Sequence, residues 1–238
     1  MITIKKSLAP LLIALTVVCT INVRPLKLSQ FNYKAASVLP TYTYRNIKYV
    51  ILSRETYGRD CGTYDDFGGS RDAGEKHPVI TAAREWDEEG LVHEITGLSE
   101  PAIRDFIDIE KSNNTRCIIA YSRARNVKTV IYITDVGKYK TKLIHDFYDA
   151  RSKATQFKNK EKDRIAVIKM SALKSAIVNH TDKQKPLTVY VLVLNPTTNK
   201  FEKTLVTLRP FLVSKLRLYF LDKPYQQGMD KRIRFYAE

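Results

Sequence analysis

Pro78 and Gly90 bracket a run, VITAAREWDEE, that has little freedom to be anything but a helix. Proline suits a first helical turn because its fixed φ is already helical and the N–H it lacks would be unpaired there, while glycine stops helices. Ala, Arg and Glu fill the interval. Upstream, Arg54 to Gly69 is crowded with Gly, Asp and Tyr, residues that break periodic structure and leave backbone N–H groups exposed. Before that loop, Asn46 to Ser53 (NIKYVILS) is a β-branched and aromatic run that reads as a strand. Strand, loop and helix in this order require the helix to lay its apolar face on a sheet.

The helix carries Glu85, Glu88 and Glu89, at spacings of three and four, so Glu85 neighbours both of the others on a helical surface. Like charges so placed repel unless a cation lies among them. Carboxylate oxygens suit hard cations such as Mg²⁺ and Mn²⁺. The cysteines, Cys19, Cys61 and Cys117, include no close pair, which excludes a Cys-x-x-Cys zinc site and leaves oxygen to hold any metal. The alternative for the acidic run is a solvated helix face.

The longer segment Gly68 to Leu91, GGSRDAGEKHPVITAAREWDEEGL, resembles the metal-binding signature of the Nudix hydrolases. That pattern is a Gly, five residues, a Glu, seven residues, then Arg-Glu-apolar-x-Glu-Glu, one residue and a Gly. Gly69, five residues and Glu75 match, as does Arg84 to Glu89 with Trp86 in the apolar place. Eight residues rather than seven separate Glu75 from Arg84, and Gly90 follows Glu89 directly. A gapped alignment keeps Arg84-Glu85 and both later glutamates; a gapless one puts Asp87 and Glu88 in the metal places, so Asp87 is the reserve ligand.

The resemblance implies an α/β fold, a Nudix-like α/β/α sandwich with a mixed sheet. It implies Mg²⁺- or Mn²⁺-dependent hydrolysis of a diphosphate linkage in a nucleoside diphosphate derivative. Glu85, Glu88 and Glu89 would hold the metal, and Glu85 and Glu89 would be catalytic, with Glu89 or a distal carboxylate, Glu161 or Asp163, orienting the attacking water. Arg84 and Glu75 would brace loop and helix as an ion pair, and Gly68 and Gly69 would allow close backbone approach. Arg54 and Arg71, near the loop, read equally as phosphate contacts or surface charge. Tyr57, Tyr64 and Trp86 could stack on a base, although the helix must bury a face and Trp86 is suited to that. Sugar nucleotides, dinucleoside polyphosphates, oxidised nucleotides and capped RNA are all compatible, and the alternative function is a non-catalytic nucleotide or RNA binding module of the same fold.

Along the rest of the chain, Ser37 to Thr43 reads as a polar, Pro-containing connection. Cys117 to Ser122 and Val127 to Thr134 read as a hairpin, and Thr141 to Lys162 as a charged excursion with a helix at Leu143 to Ala150. Ile165 to Lys169 reads as a short strand, Ser171 to Val178 as a helix capped by its serine, and Leu187 to Leu194 as a strong strand. The domain is expected over residues 40–200, with 201–238 a basic extension packed on it. The tail from Arg209 fits helix or strand.

Lys5 and Lys6 precede an uncharged stretch, Ser7 to Val23, so residues 1–30 have the layout of a secretory signal or membrane anchor. This predicts export, or membrane association through residues 7–23; a buried terminal helix or strand is the other reading. Forty Lys and Arg against twenty-five Asp and Glu give a net charge of +15. That excess favours polyanions, and Arg209, Lys215, Arg217, Lys231, Arg232 and Arg234 make RNA a candidate partner. Cys61 and Cys117 are either one disulfide or two buried thiols.

Overall fold

The computed structural model describes residues 32–122, 127–155, 161–182, 185–221, 226–227 and 233–237. The leader, residues 1–30, and Lys231 and Arg232 lie outside them. The chain builds β1 (Ala35–Tyr44), β2 (Ile47–Glu55), β3 (Tyr64–Asp65), β4 (Phe67–Ser70), α1 (Pro78–Gly90), α2 (Val92–Thr96) and α3 (Glu100–Ile107). There follow β5 (Thr115–Ser122), β6 (Val127–Asp135), α4 (Lys140–His145), α5 (Phe147–Lys153), β7 (Lys162–Lys169) and α6 (Met170–Asn179). The last elements are β8 (Thr188–Asn195), β9 (Lys200–Thr207), α7 (Pro210–Phe220), β10 (Gln226–Gln227) and β11 (Ile233–Ala237).

The strands form one mixed sheet in the order β10-β11-β5-β6-β1-β2-β7-β8-β9, with β3 on β2 and β4 on β1. β1 runs parallel to β6 and antiparallel to β2. Because successive strand residues face opposite sides, the central strands feed two cores. Ile51, Val130, Tyr132, Ile165 and Val167 join Val79, Ala82, Ala83 and Trp86 of α1 on one side. Val50, Leu52, Ile131, Ile133, Ala166 and Ile168 join Leu173 of α6 and Leu212 and Leu216 of α7 on the other. This is the mixed α/β architecture, helices on both faces of a sheet, that the sequence predicts.

Several local expectations are corrected. Ser37 to Thr43 is no connection but part of β1, buried as far as Thr41. Pro40 is tolerated because it falls between the pairing to β4, which ends at Val38, and the pairing to β2, which begins at Thr41, so that edge asks no donor of it. In α6 the N-cap position is Lys169, and Ser171 lies inside the first turn with no capping bond there. α1 ends at Gly90, yet the left-handed residue is Leu91 (φ 54°), whose side chain is fully buried. The tail from Arg209 is helical over α7 and adds β11 to the sheet between β10 and β5. Among the described residues no helix is long and apolar enough to cross a membrane.

Candidate functional site

The site is assembled where β1 and β2 part and β3 and β4 fill the gap. β4 lies antiparallel on β1, with Ser37 opposite Gly68 and Ala36 opposite Gly69. Gly68 is required by sterics, and Gly69 leaves room for a side-chain end. A Cβ on Gly68 would collide with the Cβ of Ser37 and the carbonyl of Ala36, and one on Gly69 would lie 2.5 Å from Glu85 Oε1. The helix α1 can therefore press its carboxylates against bare backbone.

Arg84 is the hub of the exposed half. Its Nε donates to Glu75 Oε1 at 2.9 Å, and its Nη1 lies 2.9 Å from Glu85 Oε1 and 3.2 Å from Glu88 Oε2. Nη2 donates to the Ser70 carbonyl at 3.0 Å, tying the helix to the end of β4. Glu75 is held further by the Thr81 hydroxyl and the Asp72 N–H, and these bonds with Arg84 keep its carboxyl below the usual range despite burial. Arg71 donates Nε to the Glu75 carbonyl at 2.6 Å and lies over the Tyr33 ring, remaining exposed.

Glu89 points the other way. It is 4% exposed, Oε2 accepts from Gly68 N–H at 2.7 Å, and Oε1 lies 3.4 Å from Lys162 Nζ. Lys162, whose side chain is wholly buried, donates to Glu55 at 2.5 Å. Burial disfavours the Lys162 ammonium, but Glu89, Asp65 and Glu55 outweigh it and the group is held charged. Glu85 is raised to about 7, by burial and by Glu88 and Glu161 against the pull of Arg84. Glu89 is raised well above its usual range, chiefly by burial, with Glu55 and Glu85 adding to it.

Glu85, Glu88 and Glu89 are thus one local cluster without a common focus, because neighbouring residues on a helix diverge by about 100°. Among the described residues no three His, Cys, Asp or Glu side chains converge as a metal-holding group. The donor set nonetheless fits a hard divalent cation: the oxygens are carboxylate, and Arg84 Nη1 shows that one positive centre can touch Glu85 and Glu88 together. Of the distal acids, Asp163 has both oxygens on the Arg54 guanidinium, at 2.8 and 2.5 Å, so these two residues are engaged with each other. Glu161 accepts from the Tyr57 hydroxyl at 2.9 Å and lies within the electrostatic reach of Glu85. Trp86 is 1% exposed and packs beside Phe106 in the core, and Tyr64 is also buried, while Tyr57 is exposed.

Sequence reasoning missed a second charged layer beneath this one. Arg209 binds Asp65 at 2.7 Å, Asp60 at 2.9 Å and Glu55 at 3.4 Å, and Lys215 lies 3.6 Å from Asp66. Asp65 is buried, but Lys162, Lys215 and Arg209 together hold its carboxyl below the usual range. Asp66 is raised to about 6 by burial and by Asp65, against the pull of Lys215. The pair Asp65-Asp66 before Phe67 was the available signal, hidden in a stretch that composition marks as exposed loop. Arg209 and Lys215, read as tail charges for RNA, are turned inward, and Arg217 donates to the carbonyls of Ile177 and His180. Cys61 is exposed and Cys117 buried, both free.

No known family model matches the sequence, and no curated protein matches it. Among solved structures the chain is similar to a NUDIX hydrolase from Nitrosomonas europaea, with 10% identity, a TM-score of 0.37, and coverage of 87% of this chain and 81% of that one. It is also similar to a MutT/nudix family protein from Enterococcus faecalis, with 13% identity, a TM-score of 0.36 and coverage of 82% and 70%. A third is the NUDIX domain of Shewanella oneidensis NrtR complexed with ADP ribose, with 15% identity, a TM-score of 0.29 and coverage of 45% and 62%.

Proposed function

We propose that this chain hydrolyses a diphosphate linkage in a nucleoside diphosphate derivative, using a divalent cation of the Mg²⁺ or Mn²⁺ class. The observation that carries the reading is the meeting of Glu85 and Glu88 on one guanidinium nitrogen, beside a glycine whose missing Cβ makes room for Glu85. The signature from Gly69 to Gly90, which resembles that of Nudix hydrolases, supports it from the sequence.

Glu85 and Glu88 are the residues that would hold the cation, and Glu89 would join them by turning from Gly68 N–H and Lys162. Such an ion, when bound, neutralises phosphoryl oxygens and acidifies a coordinated water. The chain's own residues do the positioning. Arg84 and Glu75 fix the helix against the loop, and Lys162 neutralises Glu89 and Glu55 from below. Glu161, half-buried and oriented by Tyr57, is the acid assigned to take a proton from water, since Asp163 is engaged by Arg54. Arg71 is assigned to the phosphate.

The test is release of phosphate or nucleoside monophosphate by the full chain from a panel of nucleoside diphosphate derivatives, with Mg²⁺, with Mn²⁺ and with chelator. Chelator-sensitive turnover of any member is the expected result. A second reading, a non-catalytic nucleotide-binding module, is favoured by one observation: Arg84 and Lys162 already supply the acids with internal cations. Binding without turnover across the panel would select it.

A further inference from the structure

A cavity of about 180 Å³ lies between β4, the start of β1 and the first turns of α7, with Ser37, Asp66, Gly69, Arg209, Phe211 and Lys215 on its wall. It is smaller than the roughly 300–1,000 Å³ pockets that take whole drug-sized ligands, and suits a single ring system. Two groups on this wall are under-used. The Lys215 side chain is 3% exposed, and its nearest acceptor, Asp66 Oδ2, is 3.6 Å away, beyond hydrogen-bond length. The ammonium also lies over the face of Phe211, 4.0 Å from Nζ to the ring centroid. An ammonium has three donors to place, and a buried one without an acceptor is a strong attractor for a ligand oxygen. Asp66 accepts from the Ser37 hydroxyl at 2.7 Å, and a carboxylate has lone pairs for more than that. Arg209, by contrast, is satisfied by three acids.

The charges on the wall select the ligand. A phosphate here would face Asp65 and Asp66, and a cation would face Lys215 and Arg209. A neutral group that accepts and donates from adjacent atoms satisfies both under-used residues. We infer that this cavity binds the lactam edge of a nucleobase, a 6-oxopurine or a uracil ring, its carbonyl accepting from Lys215 Nζ and its ring N–H donating to the Asp66 carboxylate. Phe211 supplies an apolar wall for the ring. The inference rests on the hydrolase reading for its biological sense: Gly69 lines the cavity and also abuts the Glu85 carboxylate, so the cavity and the acidic cluster share the β4 backbone as a wall.

The test uses the full chain in chelator, with ligand-observed NMR titration of inosine, uridine, adenosine, cytidine and inorganic phosphate. Inosine or uridine should bind at least about tenfold more tightly than adenosine and cytidine, the discrimination expected of one buried donor-acceptor pair. Methylation at the ring nitrogen, in 1-methylinosine or 3-methyluridine, should remove that preference with the protein unaltered, and Lys215→Met should remove it where its melting curve shows a folded protein. Equal binding of all nucleosides, binding of phosphate alone, or no nucleoside binding overturns the inference. The two readings fail separately: lactam-selective binding without turnover of any diphosphate sinks only the hydrolase, and turnover indifferent to the base sinks only the lactam site.

Discussion

The carboxylate of Glu85 occupies the space a side chain on Gly69 would need, with Oε1 2.5 Å from the ideal Cβ position. The strand β4 and the helix α1 that follows it thus meet with a carboxylate end laid against bare backbone. Gly69→Ala should swing the carboxylate end of Glu85 aside at a cost below about 1 kcal/mol, because the clash is with a flexible side-chain tip and not with backbone. Turnover should fall on the order of 100-fold, since small displacements of positioned groups are that damaging. Thermal melting and steady-state rates on the variant check both; unchanged kinetics would detach Glu85 from the reaction.

Glu85→Gln and Glu88→Gln should each lower kcat by about 100-fold or more while the melting temperature holds or rises. The reason is that a neutral amide relieves repulsion in a desolvated cluster yet binds a cation poorly. Rates equal to the parent in both variants would refute the metal assignment.

Lys162→Met leaves Glu89 buried without its counter-charge, and Glu55 with Arg209 alone, and should destabilise the chain by about 3–5 kcal/mol. Adding Glu89→Gln should return part of that loss, a coupling of about 0.5–3 kcal/mol. Urea unfolding of the two single variants and the double variant measures it; strict additivity would show that the ion pair carries no stability.

The pH dependence across neutrality follows from carboxyls that the fold raises, among them Asp66 to about 6 and Glu85 to about 7. A raised group stabilises most below its unfolded value, near 4 for a carboxyl, and that stability is lost as pH rises through the folded value. In chelator, melting temperature should therefore fall between about pH 5 and pH 8. Mg²⁺ should restore it at the upper end, where Glu85 is ionised. Asp65 and Glu75, both held below their usual range, act in the opposite sense and give way only as pH falls into the acid region. A melting temperature flat across pH 5 to 8 in chelator would contradict the desolvation of Asp66 and Glu85.

Period and punctuation made α1, β2, the β5–β6 hairpin, β7 and β8 legible in the sequence, because each is a run whose apolar spacing matches the face it buries. β1 was illegible because its polar residues and Pro40 argue for a connection, and only the neighbouring strands, offset around Pro40, make a strand there acceptable. β9 was missed for a related reason: it is an edge strand with most of its residues exposed.

The acidic run on α1 and its bracketing by Pro78 and Gly90 are written into local sequence, since helical spacing alone puts Arg84, Glu85 and Glu88 within reach of one another. What only the tertiary structure decided is which charges are spent on each other. Lys162 beneath Glu89, Arg54 on Asp163, and Arg209 and Lys215 folded in from the tail onto Asp65 and Asp66 are pairings between residues far apart in the chain. A charge read in sequence is assumed to face water; once a sheet and two helical layers enclose it, desolvation compels it to find a partner, and the partner is whichever residue the topology delivers.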